Sequence, residues 1–407
     1  MRVLQVAKYY YPFLGGTEQV TRDITNALNA LGVENKIICF NEDAADGDKV
    51  TRRNETVHDL VDGVEVVRVA SLVKVQSQAI APEYEKELKW LLATFRPDVV
   101  ILHYPNPFAE HFLLRYMREW GRLRPGENGR RQKPFKLYVY WHLDITRQKQ
   151  LKKFFHGQNI RLIDAADRIL GATPIHLDES EYSDAFGKKK YLLPYMIEEK
   201  KLQLTDEDRE AAARIRAEYE GKVLGFFIGR HVAYKGLKYL LAASKHVKSQ
   251  DLRFVIAGEG EETAALKEFA ADDPKVRFAG RIGDAERRAY LAACDIICFP
   301  SVTRSEAFGL SLAEGMYFAK PAVTFTIPGS GVNYVSPARV TGIECRNASV
   351  KELAEALDEL AADPALRGTY GQAARARVLT NFTEERFREN ILMLLETDFE
   401  DEFGRTD

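Results

Sequence analysis

The sequence predicts an α/β chain built as two doubly wound, parallel-sheet domains in tandem, facing across a cleft. Three observations carry this reading. The chain has 407 residues, enough for two or three domains. A short apolar strand, a glycine-bearing turn and a helix follow one another twice, from Val3 and again from Val223. Between the two lies Glu198 to Glu220, polar, helix-prone and poor in large apolar residues, which reads as a linker. The domains are therefore expected at 1-197 and 221-385, joined by a linker at 198-220. The last segment, 386-407, holds an apolar helix at Phe387–Leu395, expected to pack back on the first domain, and an acidic tail with Glu400, Asp401 and Glu402, expected to fray.

The first strand is Val3–Ala7. After Pro12-Phe13-Leu14-Gly15-Gly16, apolar residues at Val20, Ile24, Ala27, Leu28 and Leu31 fall on one helical face, and Gly32 is placed to end that helix. Further strands are read at Lys36–Phe40, Val64–Val69, Val99–Leu102, Lys136–Tyr140 and Arg168–Gly171. Helix-period stretches between several of them indicate a parallel sheet covered on both faces. The second half restarts with strand Val223–Ile228, a turn from Gly229 to Gly236 and a helix from Leu237 to Val247. Strands Arg253–Ala257, Val276–Phe278, Ile296–Phe299 and Ala322–Thr326 follow. In such sheets ligands bind outside the carboxyl ends of the strands.

Composition narrows the function. Lys+Arg of 58 against Asp+Glu of 60 leaves a net charge of -2, which gives no global attraction for nucleic acid, so an anionic partner has to be met locally. Cys39, Cys294, Cys298 and Cys345 show no paired metal spacing and read as reduced core thiols. The N-terminal run Met1–Val6 has one basic residue and a short strand pattern, neither a leader nor a membrane span, so a cytoplasmic location is the expectation.

Two segments could carry chemistry. Gly229-Arg230-His231-Val232-Ala233-Tyr234-Lys235-Gly236 sets two cations five residues apart on a strand-to-helix turn. An Arg fork, a Lys point charge and helix N-terminal amides suit a diphosphate, although alone the turn reads as solvated surface. Ser305 to Glu314 follows the strand ending at Pro300 and opens an apolar helix. With Phe308 onward helical, the amides near Gly309 and Leu310 form an anion site. Glu314 then lies about two turns from Glu306, roughly 12 Å of axial rise at most. Its neighbours Leu312, Ala313, Gly315 and Met316 are apolar, and a carboxylate so placed needs a partner.

These segments, with Tyr11-Pro12 before Gly15-Gly16-Thr17-Glu18, Gly258-Glu259-Gly260 after a strand and Phe278-Ala279-Gly280-Arg281-Ile282, resemble the retaining family-4 glycosyltransferases over nearly the whole length. The resemblance implies the GT-B fold of two Rossmann-like domains and a nucleotide-sugar donor. By it, Arg230 and Lys235 hold the donor diphosphate, Glu306 contacts the donor sugar and Glu314 accepts hydrogen bonds from the ribose. Arg281 and Ile282 lie beside the base, with Asp284 and Arg287 at its edge. Gly15, Gly16, Gly258, Phe308, Gly309 and Leu310 complete the donor-binding set. His142, in Tyr140-Trp141-His142-Leu143-Asp144, matches the family's histidine at a strand end and would hydrogen-bond the sugar near the reacting carbon, and His103 is given a lining role. Where many relatives have Pro-Asn-Gly at the hinge, this chain has Pro194-Tyr195-Met196.

Pro328 to Val335 resembles a segment common in mannosyl- and rhamnosyltransferases of surface polysaccharides, which makes GDP-mannose the expected donor, with UDP-glucose or UDP-N-acetylglucosamine as the alternative. A GT-B nucleotide-sugar epimerase is a further reading. No cofactor and no metal are expected. Asp46-Gly47-Asp48 lies in a polar loop and Asp206-Glu207-Asp208 starts a helix after Thr205, so neither reads as a metal-carrying pair. The expected acceptor is a glycan or lipid-linked glycan. From His111 to Ile160 twelve Lys/Arg stand against three Asp/Glu with aromatics interleaved, which suits peripheral contact with an anionic membrane on its inner face.

Overall fold

A computed structural model describes residues 1–13, 15–42, 54–75, 78–123, 133–144 and 149–399. The chain divides into two units, Met1–Leu193 with Phe387–Asp407, and Pro194–Arg386.

In the first unit the strands are β1 (Arg2–Val6), β2 (Glu34–Asn41), β3 (Val57–Val61), β4 (Val64–Ala70), a small hairpin β5 (Val73–Val75) with β6 (Gln78–Ile80), β7 (Val99–Tyr104), β8 (Lys136–Trp141), β9 (Arg168–Gly171) and β10 (Lys190–Leu192). The main sheet runs β10-β9-β8-β7-β1-β2-β4-β3. Its pairs are parallel except β3, which runs antiparallel to β4. The central strands are closed to water on both faces, as helix-covered parallel strands must be: Val3, Leu4, Val99, Val100 and Leu102 are each 0% exposed. Two edge strands escape the periodicity. β3 reads Val-His-Asp-Leu-Val with Leu60 exposed, and β10 has three residues. An edge strand makes half the contacts of a central one, so its side chains need not be apolar.

The second unit carries β11 (Val223–Ile228), β12 (Leu252–Ala257), β13 (Val276–Gly280), β14 (Ile296–Phe299), β15 (Ala322–Phe325) and β16 (Gly342–Cys345). They pair in parallel in the order β13-β12-β11-β14-β15-β16. The strand order reverses between β1 and β7 in the first sheet and between β11 and β14 in the second. These switch points, at the carboxyl ends, are where such sheets leave a crevice.

The linker expected at 198-220 is corrected. It folds as helices Glu199–Leu202 and Asp206–Glu218 and belongs to the second unit, whose boundary is Pro194 rather than the end of that stretch. Thr205 caps the longer helix, its hydroxyl accepting from the Asp208 amide while the Asp208 carboxylate accepts from the Thr205 amide. The Arg288 guanidinium donates twice to Asp208, at 2.7 and 3.1 Å, and Arg216 donates to Asp295 at 2.9 Å. Charge pairs fasten this helix where an apolar stripe would ordinarily do so, hence its linker-like composition. Asp208 is thus a cap and an ion-pair partner, while Asp46-Gly47-Asp48 lies outside the described residues.

The final helix, Glu384–Asp398, brings Asp398 to the first sheet, where it accepts from the Tyr138 hydroxyl at 2.8 Å and pairs with Arg168 at 2.5 Å. Tyr191 donates to the Asn390 carbonyl at 2.8 Å. The tail holding Glu400, Asp401 and Glu402 lies outside the described residues.

Candidate functional site

In the first unit, the loops after β1 and β8 and the end of β7 meet the start of the helix Gly16–Ala30. They enclose a cavity of about 230 Å³ lined among others by Lys8, Thr17, Glu18, Thr21, His103 and His142. It sits at the switch point between β1 and β7. Gly15 is the N-cap of that helix and Gly16 its first residue. His142 follows directly on β8, its amide donating to the Tyr104 carbonyl of β7 at 3.2 Å. Its ring stacks on Tyr140 at 4.5 Å between centroids, and its Nε2 lies 3.0 Å from His103 Nδ1. Burial pushes the His103 imidazole down to about 3. Burial, then His103 and His176 beside it, holds His142 well below the ordinary histidine range. Both rings are therefore neutral at physiological pH, and His142 offers the cavity hydrogen bonding rather than positive charge.

In the second unit, three strand-end loops interlock. Gly258, which follows β12, has φ +113°, and a Cβ there would stand 2.0 Å from the Gly229 carbonyl oxygen. Its amide donates to the Gly280 carbonyl at 2.7 Å. Only glycine lets the ends of β11, β12 and β13 approach so closely. Arg230 is exposed in this cluster, its carbonyl accepting from the Val232 amide at 3.0 Å while its guanidinium has no hydrogen-bond or ion-pair partner among the described residues. Arg281 and Ile282 leave the end of β13 with Arg281 exposed.

Lys235 and Glu306 come from the two sides of the β11/β14 switch point. Lys235 Nζ lies 2.5 Å from Glu306 Oε2, and both side chains are only 11% exposed. The Ser301 hydroxyl donates to the same Oε2 at 3.1 Å. The helix expected from Phe308 begins at Leu310, with Gly309 as its N-cap at φ +87°, a left-handed residue whose added Cβ would meet the Phe299 ring at 2.9 Å. The Phe308 side chain is closed off from this site. It is 1% exposed, packed against Tyr195 and Phe382 at 5.3 and 5.1 Å between centroids, and only its backbone is left for a ligand.

Ser330 and Gly331, within the Pro328 to Val335 segment, take a structural part that the sequence does not reveal. Ser330, fully buried, donates its hydroxyl to the Glu306 carbonyl, and the Gly331 amide donates to the Ala307 carbonyl at 3.1 Å. These two carbonyls lie in the loop just ahead of the helix that begins at Leu310. The segment Pro328 to Val335 thus holds the loop that leads into this helix.

Glu314 sits in that helix with its side chain 17% exposed and accepts from Arg287 at 3.1 and 3.4 Å. Arg287 also pairs with Asp284 at 3.3 Å. Burial raises the Glu314 carboxyl above its usual range, and Arg287 opposes the rise. Arg287, whose expected place is at a base edge, is the partner that Glu314 requires, because an apolar setting makes a lone carboxylate costly.

The structure thus gathers Lys235, Glu306, Gly309 and Leu310 at one switch point, and Asp284, Arg287 and Glu314 in one charged cluster, within the second unit. His142, Gly15 and Gly16 belong to the first. The arrangement in the second unit can hold an anion on cations and backbone amides and offers carboxylates to hydroxyl donors.

Two family descriptions match. Glycosyl transferases group 1 covers residues 208–377 and Glycosyltransferase Family 4 covers residues 14–170. The chain is 27% identical over 388 residues to O-antigen chain mannosyltransferase C of Escherichia coli, covering 95% of each. It is 29% identical over 395 residues to D-rhamnosyltransferase WbpZ of Pseudomonas aeruginosa, covering 94% of this chain and 92% of the relative. Over 177 residues, 42% of this chain and 46% of the relative, it is 30% identical to the GDP-mannose-dependent monoacylated alpha-(1-6)-phosphatidylinositol monomannoside mannosyltransferase of Corynebacterium glutamicum. Sucrose-phosphate synthase from Thermosynechococcus elongatus superposes with a TM-score of 0.74 at 17% identity, covering 98% of this chain and 99% of that one, a likeness of fold.

Proposed function

The chain belongs to the family-4 glycosyltransferases with the GT-B fold, and we propose that it is a retaining, metal-independent hexosyltransferase that moves mannose from GDP-mannose to a glycan or lipid-linked glycan hydroxyl. Its full-length relatives are named for mannosyl and rhamnosyl transfer in O-antigen and related chains, which supports a hexose of that class and an acceptor in surface polysaccharide or glycolipid synthesis. GDP as the carrier draws on the partial match to a relative named as GDP-mannose-dependent.

The observation that carries the reading is the Lys235–Glu306 pair at the β11/β14 switch point. Lys235, with Arg230 and the amides of Gly309 and Leu310, supplies positive charge where a leaving diphosphate gains negative charge, the part a divalent ion plays in metal-dependent enzymes. Glu306, held by Lys235 and Ser301, is the carboxylate for donor-sugar hydroxyls, and Glu314 with Arg287 is the one for ribose. His142 is assigned to hydrogen bonding with a sugar hydroxyl.

A thermal-shift panel tests the donor. GDP and GDP-mannose raise the melting temperature by several degrees at a hundredfold excess over Kd, since saturation of that degree is worth about 2.7 kcal/mol, while UDP and UDP-glucose do not. GDP release from GDP-mannose then depends on an added glycan acceptor. Protection by UDP instead replaces the donor, and conversion of the nucleotide sugar without acceptor replaces transfer by epimerisation.

Membrane contact belongs to the same proposal, with the enzyme cytoplasmic and peripheral on the inner face. Among the described residues no helix is long and apolar enough to cross a membrane. Of the twelve cations between His111 and Ile160, Arg115 is paired with Glu85 and Glu119, Lys133 with Asp167, and Lys136 donates to the Asp398 carbonyl. Arg124, Arg130, Arg131 and Arg147 lie outside the described residues. Co-sedimentation with anionic liposomes at low salt, lost at high salt and reduced when Arg122, Arg124, Arg130 and Arg131 are changed to Glu, is the expected result, at about 1 kcal/mol per cation. Nucleotide affinity stays unchanged in that variant. Protein that stays in the supernatant at low salt overturns the membrane contact.

A further inference from the structure

Gln5 and the threonines facing it are not explained by donor binding. Gln5 lies inside β1, fully buried, where an amide is costly unless its hydrogen bonds are made. Thr17, Thr21 and Thr25 recur every fourth residue along the helix Gly16–Ala30. Thr21 donates its hydroxyl to the Thr17 carbonyl and Thr25 donates to the Thr21 carbonyl, both at 2.9 Å. A hydroxyl has one proton, so Thr25 Oγ1 faces Gln5 as an acceptor and takes the Gln5 Nε2–H at 2.8 Å. That sets the amide, turning Gln5 Oε1 to His103 Nε2 at 3.1 Å, and the proton of His103 must sit on Nε2 to donate to it. His103 Nδ1 is then bare. Thr21 Oγ1, 3.4 Å away, has given its proton to the helix, so the donor to His103 Nδ1 is His142 Nε2–H at 3.0 Å.

We propose that Gln5 and His103 are positioning residues for His142: the buried chain running from Thr25 through Gln5 and His103 fixes the His142 proton on Nε2 and leaves Nδ1 the acceptor nitrogen of the ring. Burial disfavours the imidazolium form of both rings, which keeps each to the single proton that the chain requires. The inference rests on the proposed role of His142 at the sugar, but the tautomer itself does not depend on which donor is used.

The test labels the eight histidines of the full chain with 15N and records long-range proton–nitrogen correlations, assigning His142 by its loss in His142→Gln. The expected spectrum shows His103 and His142 both carrying the proton on Nε2. In Gln5→Leu and His103→Phe the His142 signals move to the Nδ1–H form or to an average, kcat falls at least tenfold and KM for the nucleotide sugar stays within threefold. His103→Gln, which offers a carbonyl to His142 and an amide to Gln5, keeps kcat within threefold of wild type. An Nδ1–H form of His142 in the wild-type protein overturns the proposal, as does an unchanged His142 spectrum in the folded variants. Should Gln5→Leu and His103→Phe not fold, the wild-type spectrum and His103→Gln decide. If GDP-mannose proves not to be the donor while the tautomers are as expected, the donor reading fails and the relay stands.

Discussion

Lys235→Ala lowers kcat/KM more than a hundredfold and lowers the melting temperature with it. The first loss is the charge that the proposed function assigns to the leaving diphosphate, on the scale of about 3 kcal/mol for one preorganised electrostatic contact in a site shielded from water. The second comes from the ground state. Lys235 and Glu306 are an ion pair at 2.5 Å, each 11% exposed, and deleting one member of such a pair leaves the other charged without its counter-charge, at a cost on the order of 3 kcal/mol. The Ser301 hydroxyl on Glu306 recovers only part of this. A Lys235→Met, Glu306→Gln double variant separates the two losses: it removes both charges, so most of the melting temperature returns while activity stays down by more than a hundredfold. A purified Lys235→Ala protein within threefold of wild-type activity would remove Lys235 from the diphosphate site.

That pairing shows which part of the site the sequence could carry. The strand, glycine turn and helix pattern places Lys235 after one strand and Glu306 after another because local periodicity records local structure. What periodicity does not record is that β11 and β14 are neighbours at a switch point, which brings residues 71 positions apart into contact. The same holds for Arg287 with Glu314 and for Gln5 with His103, the latter 98 positions apart. Which residue partners which is not legible until the sheet order is known. The stretch 198-220 fails for a related reason: Asp208 meets Arg288 across 80 positions, and a helix fastened by a distant ion pair has no apolar stripe for periodicity to find. Phe308 shows the reverse case. Its place beside Gly309 suggested a ligand, yet the aromatic ring is used to anchor the loop to Tyr195 and Phe382.

On the proposed function the two carboxylates of the second unit divide the donor between them, and isothermal calorimetry with bare GDP against turnover of GDP-mannose separates their roles. Glu314→Gln weakens GDP at least tenfold, because a carboxylate can accept from both ribose hydroxyls while an amide presents one acceptor and turns an NH₂ toward them or toward Arg287. Glu306→Gln leaves GDP, which has no hexose, within threefold and lowers kcat by about a hundredfold or more, as loss of an interaction realised at the reacting sugar should. The pH dependence adds a sign. Burial raises the Glu314 carboxyl above its usual range, with Arg287 opposing, so the folded protein takes up that proton at a higher pH than the unfolded chain does. Protonation therefore costs the folded protein no stability through this group, but it removes an acceptor for ribose. GDP affinity of the wild type falls as pH drops from neutral through that raised value, and Glu314→Gln, which has no proton to gain there, loses that part of the dependence. Equal weakening of GDP by both substitutions would mean that Glu306, too, reads the nucleotide and that the division between sugar and ribose is misplaced.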